Sequence, residues 1–310
     1  MAVRPPLPAA LAAEFAYPRP LTVTATEKEL EAREKYTIRR IEMPAWVDRV
    51  GTNRTITLDY YAPKGVAKAP VILILPMLGG GYDLERYFAN YFAKQGLAAV
   101  IVHREAKTKE QDTIAYLDRI LRQTVLDNKQ AIDWIETRPE LDAAHIGVFG
   151  VSMGGIKGAL LTPLEGRVKA AVIGLAGGDL PYIMTHTSEK GLVRRREEYM
   201  KTENVTLDEL HERLRKCITC DPIIYAPFID PRKVLLVLAS LDTVVPYKKG
   251  EELKEKMGNP ETITIPAGHY TAVVYIPYIQ HQALQFFQER FRPEAKAVNV
   301  TAHNATRPRR

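Results

Sequence analysis

The sequence predicts an α/β protein: a mostly parallel, twisted sheet of about eight strands, helices on both faces, and a helical cap inserted late in the chain. Three observations predict it. Unbroken apolar runs such as VILILP (71–76) and VLLVLAS (234–240) read as strands buried on both faces, which is how parallel-sheet strands look. These runs alternate with segments of helical period, and that alternation implies a parallel sheet covered on both sides. A charged stretch at about 179–231 then separates two runs and is too long for an ordinary connection.

The elements follow in order. Residues 1–35 form an N-terminal arm whose first 30 positions are rich in proline and alanine. YTIRRIEMP (36–44) and TITLDYYAP (55–63) alternate in part and suggest an antiparallel pair. VILILP opens the buried strands, and LERYFANYFAKQG (84–96) is an amphipathic helix closed by Gly96. Strand LAAVIVHR (97–104), a long helix from about 110 to 138, strand HIGVFGV (145–151), a helix from Met153 and strand VKAAVIGLAG (168–177) come next. The stretch 179–231, with LVRRREEYM and TLDELHERLRK, is expected to be the cap over the carboxyl ends of the strands. Strand VLLVLAS, helix KKGEELKEKMG, strand TITIP and a last helix to about Phe291 complete the main domain over 36–292, and 293–310 form a basic tail.

Composition narrows the function. The chain has 310 residues, 46 % of them hydrophobic, enough for a full globular core. Its net charge of +6 is modest, and no dense basic stripe interleaves with aromatics, so nucleic acid is not an expected partner. Arg194, Arg195 and Arg196 run straight into Glu197 and Glu198, which reads as a solvated helix face or, alternatively, as a contact for an anionic substrate. No apolar stretch reaches the roughly 20 residues of a membrane span. The start is too broken by proline to form a convincing signal-peptide core, which favours a cytoplasmic location over export. Cys217 and Cys220, in C-I-T-C at the end of a charged helical segment, read as inert thiols or a local disulfide. A zinc site with His211 lacks a second ligand pair, so no metal is expected.

One motif carries chemistry. Between an apolar strand and a helix stands Gly150-Val151-Ser152-Met153-Gly154. A G-x-S-x-G turn holds its serine in a strained conformation clear of the backbone, beyond the carboxyl end of a strand where ligands of open parallel sheets sit. The Met153 N–H, at the helix start, points where an oxyanion would form. A serine hydroxyl needs a base, and the base needs an orienting carboxylate. LDTVVP delivers Asp242 after one buried strand, and Gly268-His269-Tyr270 follows another. Asp179, after strand VKAAVIGLAG, is the rival acid.

With Ser152, Asp242 and His269 in that order, each after its own strand, the chain resembles the α/β-hydrolase superfamily over about residues 36–291. The resemblance implies Ser152 as nucleophile, His269 as general base and acid, and Asp242 as the residue orienting His269. A second oxyanion donor should follow VILILP. Where many members carry His-Gly-x, this chain has Pro76-Met77-Leu78-Gly79-Gly80-Gly81, which points to the Leu78 amide with Met77 second. Met77, His103 and Tyr270 are candidate pocket residues, His103 having the structural reading as its alternative. The pattern is similar to dienelactone-hydrolase-like, acetyl-ester and prolyl-oligopeptidase-like members. Dienelactone hydrolases proper use cysteine, and the serine here favours ordinary esterase chemistry. The expected activity is hydrolysis of small-molecule carboxylic esters of short to medium acyl chain, acetyl included, without a cofactor. A peptidase or amidase on the same residues and a non-catalytic binding protein are the alternatives.

Overall fold

The computed structural model describes residues 4–47, 54–104 and 115–292. The expected tail at 293–310, the first three residues of the arm and the start of the long helix (110–114) lie outside the described residues.

The strands are β1 (Thr26–Ala32), β2 (Tyr36–Pro44), β3 (Thr55–Pro63), β4 (Ala69–Leu75), β5 (Ala98–Val102), β6 (Leu141–Val151), β7 (Val168–Gly174), β8 (Val234–Ala239) and β9 (Glu261–Ile265). The helices are α1 (Ala9–Ala13), α2 (Asp83–Lys94), α3 (Tyr116–Glu136), α4 (Met153–Leu164), α5 (Leu180–His186), α6 (Lys190–Glu203), α7 (Leu207–Cys217), α8 (Pro222–Tyr225), α9 (Tyr247–Lys256) and α10 (Ile276–Arg290). One sheet runs β1-β2-β3-β5-β4-β6-β7-β8-β9, antiparallel through β1, β2, β3 and β5 and parallel from β5 to β9. From β4 the chain winds first to β5 and then back across to β6. The crevice between the ends of β4 and β6 is therefore the topological switch point, where such sheets place their ligands.

The sheet has nine strands rather than the eight expected. The ninth, β1, lies within the stretch expected to be an arm. All seven of its residues are exposed, and it pairs with β2 alone at the sheet edge. TEKELEA buries neither face, so it carries no apolar alternation. Its charges suit an edge that must not recruit another strand. The chain before it is tied down: Phe15 is fully buried, Tyr17 donates its hydroxyl to Asp133 at 2.6 Å, and Arg19 pairs with the same carboxylate at 2.9 Å.

Each sheet face has its own core. On one, α3, α4 and α9 pack Leu126, Ile132, Leu160 and Leu253 against Val71, Leu73, Val148 and Leu236. On the other, α2 and α10 bring Phe88, Phe92, Phe286 and Phe287 against Ile72, Ile74 and Phe149. Adjacent residues of one strand thus enter opposite cores, which is why β4 and β8 read as unbroken apolar runs. Between β7 and β8 the chain inserts α5, α6, α7 and α8. Among the described residues no helix is long and apolar enough to cross a membrane.

Candidate active site

Ser152 sits at the turn from β6 into α4 with φ 57° and ψ −123°. A non-glycine residue there is strained by about 1–3 kcal/mol and persists only where its surroundings over-determine it. The surroundings here are backbone. The Ser152 N–H is donated to the Gly174 carbonyl on β7 (2.8 Å), and its own carbonyl accepts the Ile156 N–H (3.0 Å). A Cβ on Gly150 would overlap the Gly154 carbonyl, and one on Gly154 would overlap the Leu75 carbonyl. Glycine at both positions lets α4 start close against the ends of β6 and β4.

Asp242 and His269 arrive from the two strands beyond β7. After β8, Asp242 Oδ1 accepts the N–H groups of Val244 and Val245, both at 2.9 Å, which fixes the carboxylate in its turn. After β9, the Leu241 N–H is donated to the Ala267 carbonyl (3.0 Å), joining the two loops. His269 Nδ1 then lies 2.6 Å from Asp242 Oδ2, and His269 Nε2 lies 2.9 Å from Ser152 Oγ. With Nδ1–H donated to the carboxylate, Nε2 is left to accept the serine hydroxyl. Both side chains are nearly dry, at 9 % exposure for His269 and 3 % for Asp242. Residues 90 and 117 positions from Ser152 in sequence meet it in one hydrogen-bonded file.

Opposite the α4 start lies the loop after β4. Its polar backbone is held by three charged side chains. Glu85 of α2, itself buried, accepts the Met77 N–H at 2.8 Å. Arg104, just after β5, donates to the carbonyls of Met77 (2.8 Å), Gly79 (2.5 Å) and Gly80, with its guanidinium 4.3 Å from the centre of the Tyr82 ring. Lys157 of α4 donates to the Pro76 carbonyl at 3.1 Å. The Met77 amide is therefore engaged with Glu85. Met77, with Ile74, Leu84, Phe88 and Val151, lines a small pocket. Leu78 is 53 % exposed.

A model of the dienelactone hydrolase family matches residues 58–187, which hold β4, the loop after it, β6 and the Ser152 turn. Among solved structures the chain is similar to an acetyl xylan esterase from Paenibacillus sp. R4, with 19 % identity, 90 % of this chain and 91 % of that one covered, and a TM-score of 0.68. It is also similar to acetyl xylan esterase 1 from Thermoanaerobacterium sp. JW/SL YS485, with 18 % identity, 93 % and 95 % covered, and a TM-score of 0.66. The acylaminoacyl peptidase of Pyrococcus horikoshii matches 83 % of this chain with 42 % of its own, at 15 % identity and a TM-score of 0.58. No curated protein matches the chain in sequence. The chain has the α/β-hydrolase fold.

The remaining candidates lie at several places in the fold. Tyr270 is 67 % exposed, with its ring edge-on to that of His269 at 5.6 Å. His103 stacks on Tyr82 at 4.7 Å, and its Nε2 lies 3.0 Å from Asp59 Oδ2, out of line for a well-directed hydrogen bond. The rival acid Asp179 is committed elsewhere: it caps α5 and pairs with Lys249 at 2.8 Å. Cys217 and Cys220 are free thiols, and burial pushes the Cys220 thiol far up. Arg194 and Arg195 are exposed on α6, while Arg196 donates to the Thr185 carbonyl at 2.6 Å. Among the described residues no cluster of His, Cys, Asp and Glu is placed to hold a metal. The sequence reading missed Glu85, Arg104 and Lys157. The cue available was a charged residue, Lys157, within an otherwise small and apolar helix.

Proposed function

We propose that this α/β-hydrolase cleaves carboxylic esters through Ser152, His269 and Asp242. The observation that carries the proposal is the file Ser152 Oγ–His269 Nε2 at 2.9 Å and His269 Nδ1–Asp242 Oδ2 at 2.6 Å. Ser152 Oγ attacks the ester carbonyl while His269 Nε2 takes its proton. The imidazolium that forms is stabilised by the Asp242 carboxylate, itself held by two backbone amides. Negative charge gathers on the former carbonyl oxygen, which the amides of Met153 and Leu78 receive. Met153 N–H belongs to the first turn of α4 and has no partner within the helix. Leu78 is the loop donor because the Met77 amide is already given to Glu85. His269 protonates the leaving alcohol, then activates water to release the acid from the acyl-enzyme.

The catalytic unit is assigned to 36–292, and α5 to α8 form its cap. A short acyl group, acetyl foremost, is the proposed substrate class, in keeping with the family match and the acetyl xylan esterases among the structural neighbours. The acylaminoacyl peptidase neighbour favours a second reading, an amidase on the same residues.

Release of p-nitrophenol from acetate, butyrate, octanoate and palmitate esters tests the proposal, with an anilide alongside. Acetate or butyrate is expected to turn over fastest, and Ser152→Ala to lose about four or more orders of magnitude in kcat. Survival of activity in Ser152→Ala removes the proposal. Faster turnover of the anilide replaces it with the amidase.

A further inference from the structure

Lys157 is a buried ammonium in the helix that starts at the proposed nucleophile, and the mechanism above does not use it. It stands four residues after Met153, hence on the same face of α4 one turn further in. Its one hydrogen bond among the described residues goes to the carbonyl of Pro76, two residues before Leu78. A single side chain therefore ties the helix carrying one oxyanion donor to the loop carrying the other. The charged groups around it come from three parts of the fold: Glu85 on α2, Arg104 after β5 and Asp127 on α3. Neither carboxylate makes an ion pair with it. Glu85 is turned to the Met77 amide, and Asp127 is paired with Arg54 at 2.7 Å.

A buried lysine without a carboxylate partner is costly, and a methionine of similar length would fill the space without that cost. Keeping a charge there needs a return. A positive charge fixed beneath both donors favours the oxyanion, and the Nζ–H to Pro76 bond sets the width of the hole. Building on the reading of Ser152 as nucleophile with the Met153 and Leu78 amides as its oxyanion hole, we propose that Lys157 is a positioning residue. Its ammonium locks the Pro76–Leu78 loop onto α4 and stabilises the transition state through the hole. Desolvation brings the ammonium down to about 8, so its charge disappears within an accessible alkaline range.

The test is Lys157→Met, read by kcat, KM, the pH profile of kcat and the melting temperature, beside wild type and Ser152→Ala. For Lys157→Met the expected result is kcat lower by about tenfold or more with KM nearly unchanged, since the hole acts in the transition state. Wild-type kcat falls as pH passes about 8, a limb that Lys157→Met lacks, while the melting temperature stays equal or rises. Unchanged kcat together with an unchanged alkaline limb overturns the proposal. A merely structural lysine would move the melting temperature and leave both kinetic readouts alone, which also overturns it. Should Lys157→Met fail to fold, Lys157→Gln, a donor without charge, is read in the same way. Loss of activity in Ser152→Ala with no kinetic effect at position 157 removes this inference and leaves the esterase reading standing. Persistence of activity in Ser152→Ala removes the reading beneath it.

Discussion

The turn that carries Ser152 and the loop that carries Leu78 face each other across the switch point, yet they are held by opposite means. The turn is fixed by backbone against backbone: Ser152 N–H to Gly174 O, and glycines at 150 and 154 where a Cβ would overlap a carbonyl. The loop has two positive-φ glycines, Gly79 and Gly80, with open space around them, and it depends on the side chains of Glu85, Arg104 and Lys157. One wall of the site is set by steric exclusion and the other by charge. Steric fit does not titrate. The Lys157 ammonium does, and it is on the loop wall that pH and charge substitutions should act on the proposed reaction.

The largest effect expected is on the steric wall. Gly154→Ala forces a Cβ into the Leu75 carbonyl, which neither backbone can avoid without moving α4 from β4. Stability should fall by about 3 kcal/mol, measured by denaturant unfolding. Displacing the nucleophile should cost about 10²-fold in kcat. Both losses should be the same at pH 7 and pH 9. A pH-dependent loss would break the distinction between the walls.

The charged wall separates into hydrogen bond and charge at Glu85. Glu85→Ala orphans the half-buried Met77 amide and should lower kcat by about tenfold through a displaced Leu78. Glu85→Gln keeps an acceptor for that amide and removes only the charge. Because the Glu85 carboxylate favours the protonated form of Lys157, Glu85→Gln should leave kcat at pH 7 nearly unchanged. It should also move the alkaline limb below its wild-type position near pH 8. A limb that moves upward, or does not move, would separate Glu85 from Lys157.

The same contrast explains what could be read in the sequence. The steric wall is written locally: five consecutive residues, 150–154, contain the strained serine and the glycines it requires. Asp242 and His269 could be placed at the same edge as Ser152 because each stands a few residues past the end of a strand, β8 and β9. The charged wall is written across four elements. Glu85, Arg104 and Lys157 share no spacing, and each alone reads as a helix-face or strand-end charge. β1 was missed for the converse reason, since a strand exposed on both faces has the composition of a solvated arm. Strands that enter two cores announce themselves, and a strand held by backbone pairing alone does not.

The smallest effect expected lies one layer behind the loop. Arg104 reaches the loop carbonyls with its backbone N–H donated to the Tyr82 hydroxyl at 2.9 Å. Tyr82 stacks on His103, and His103 leans on buried Asp59, which also holds Arg40 at 2.7 Å. Burial alone would raise the Asp59 carboxyl, but His103 and Arg40 outweigh it and bring the carboxyl below its ordinary value. A depressed carboxyl contributes stability that is complete above the unfolded-state value, about 3.9, and lost as pH falls through the folded one. Asp59→Asn should therefore lower stability by about 1–2 kcal/mol at pH 7. The loss should shrink toward zero as pH falls through the lowered folded-state value, below which the wild-type carboxyl is protonated too. In esterase assays at pH 7, kcat should change by no more than about twofold, because the buttress acts on Arg104 rather than on Pro76 or Met77 directly. A kcat loss as large as that of Glu85→Ala would extend the charged wall to the antiparallel half of the sheet.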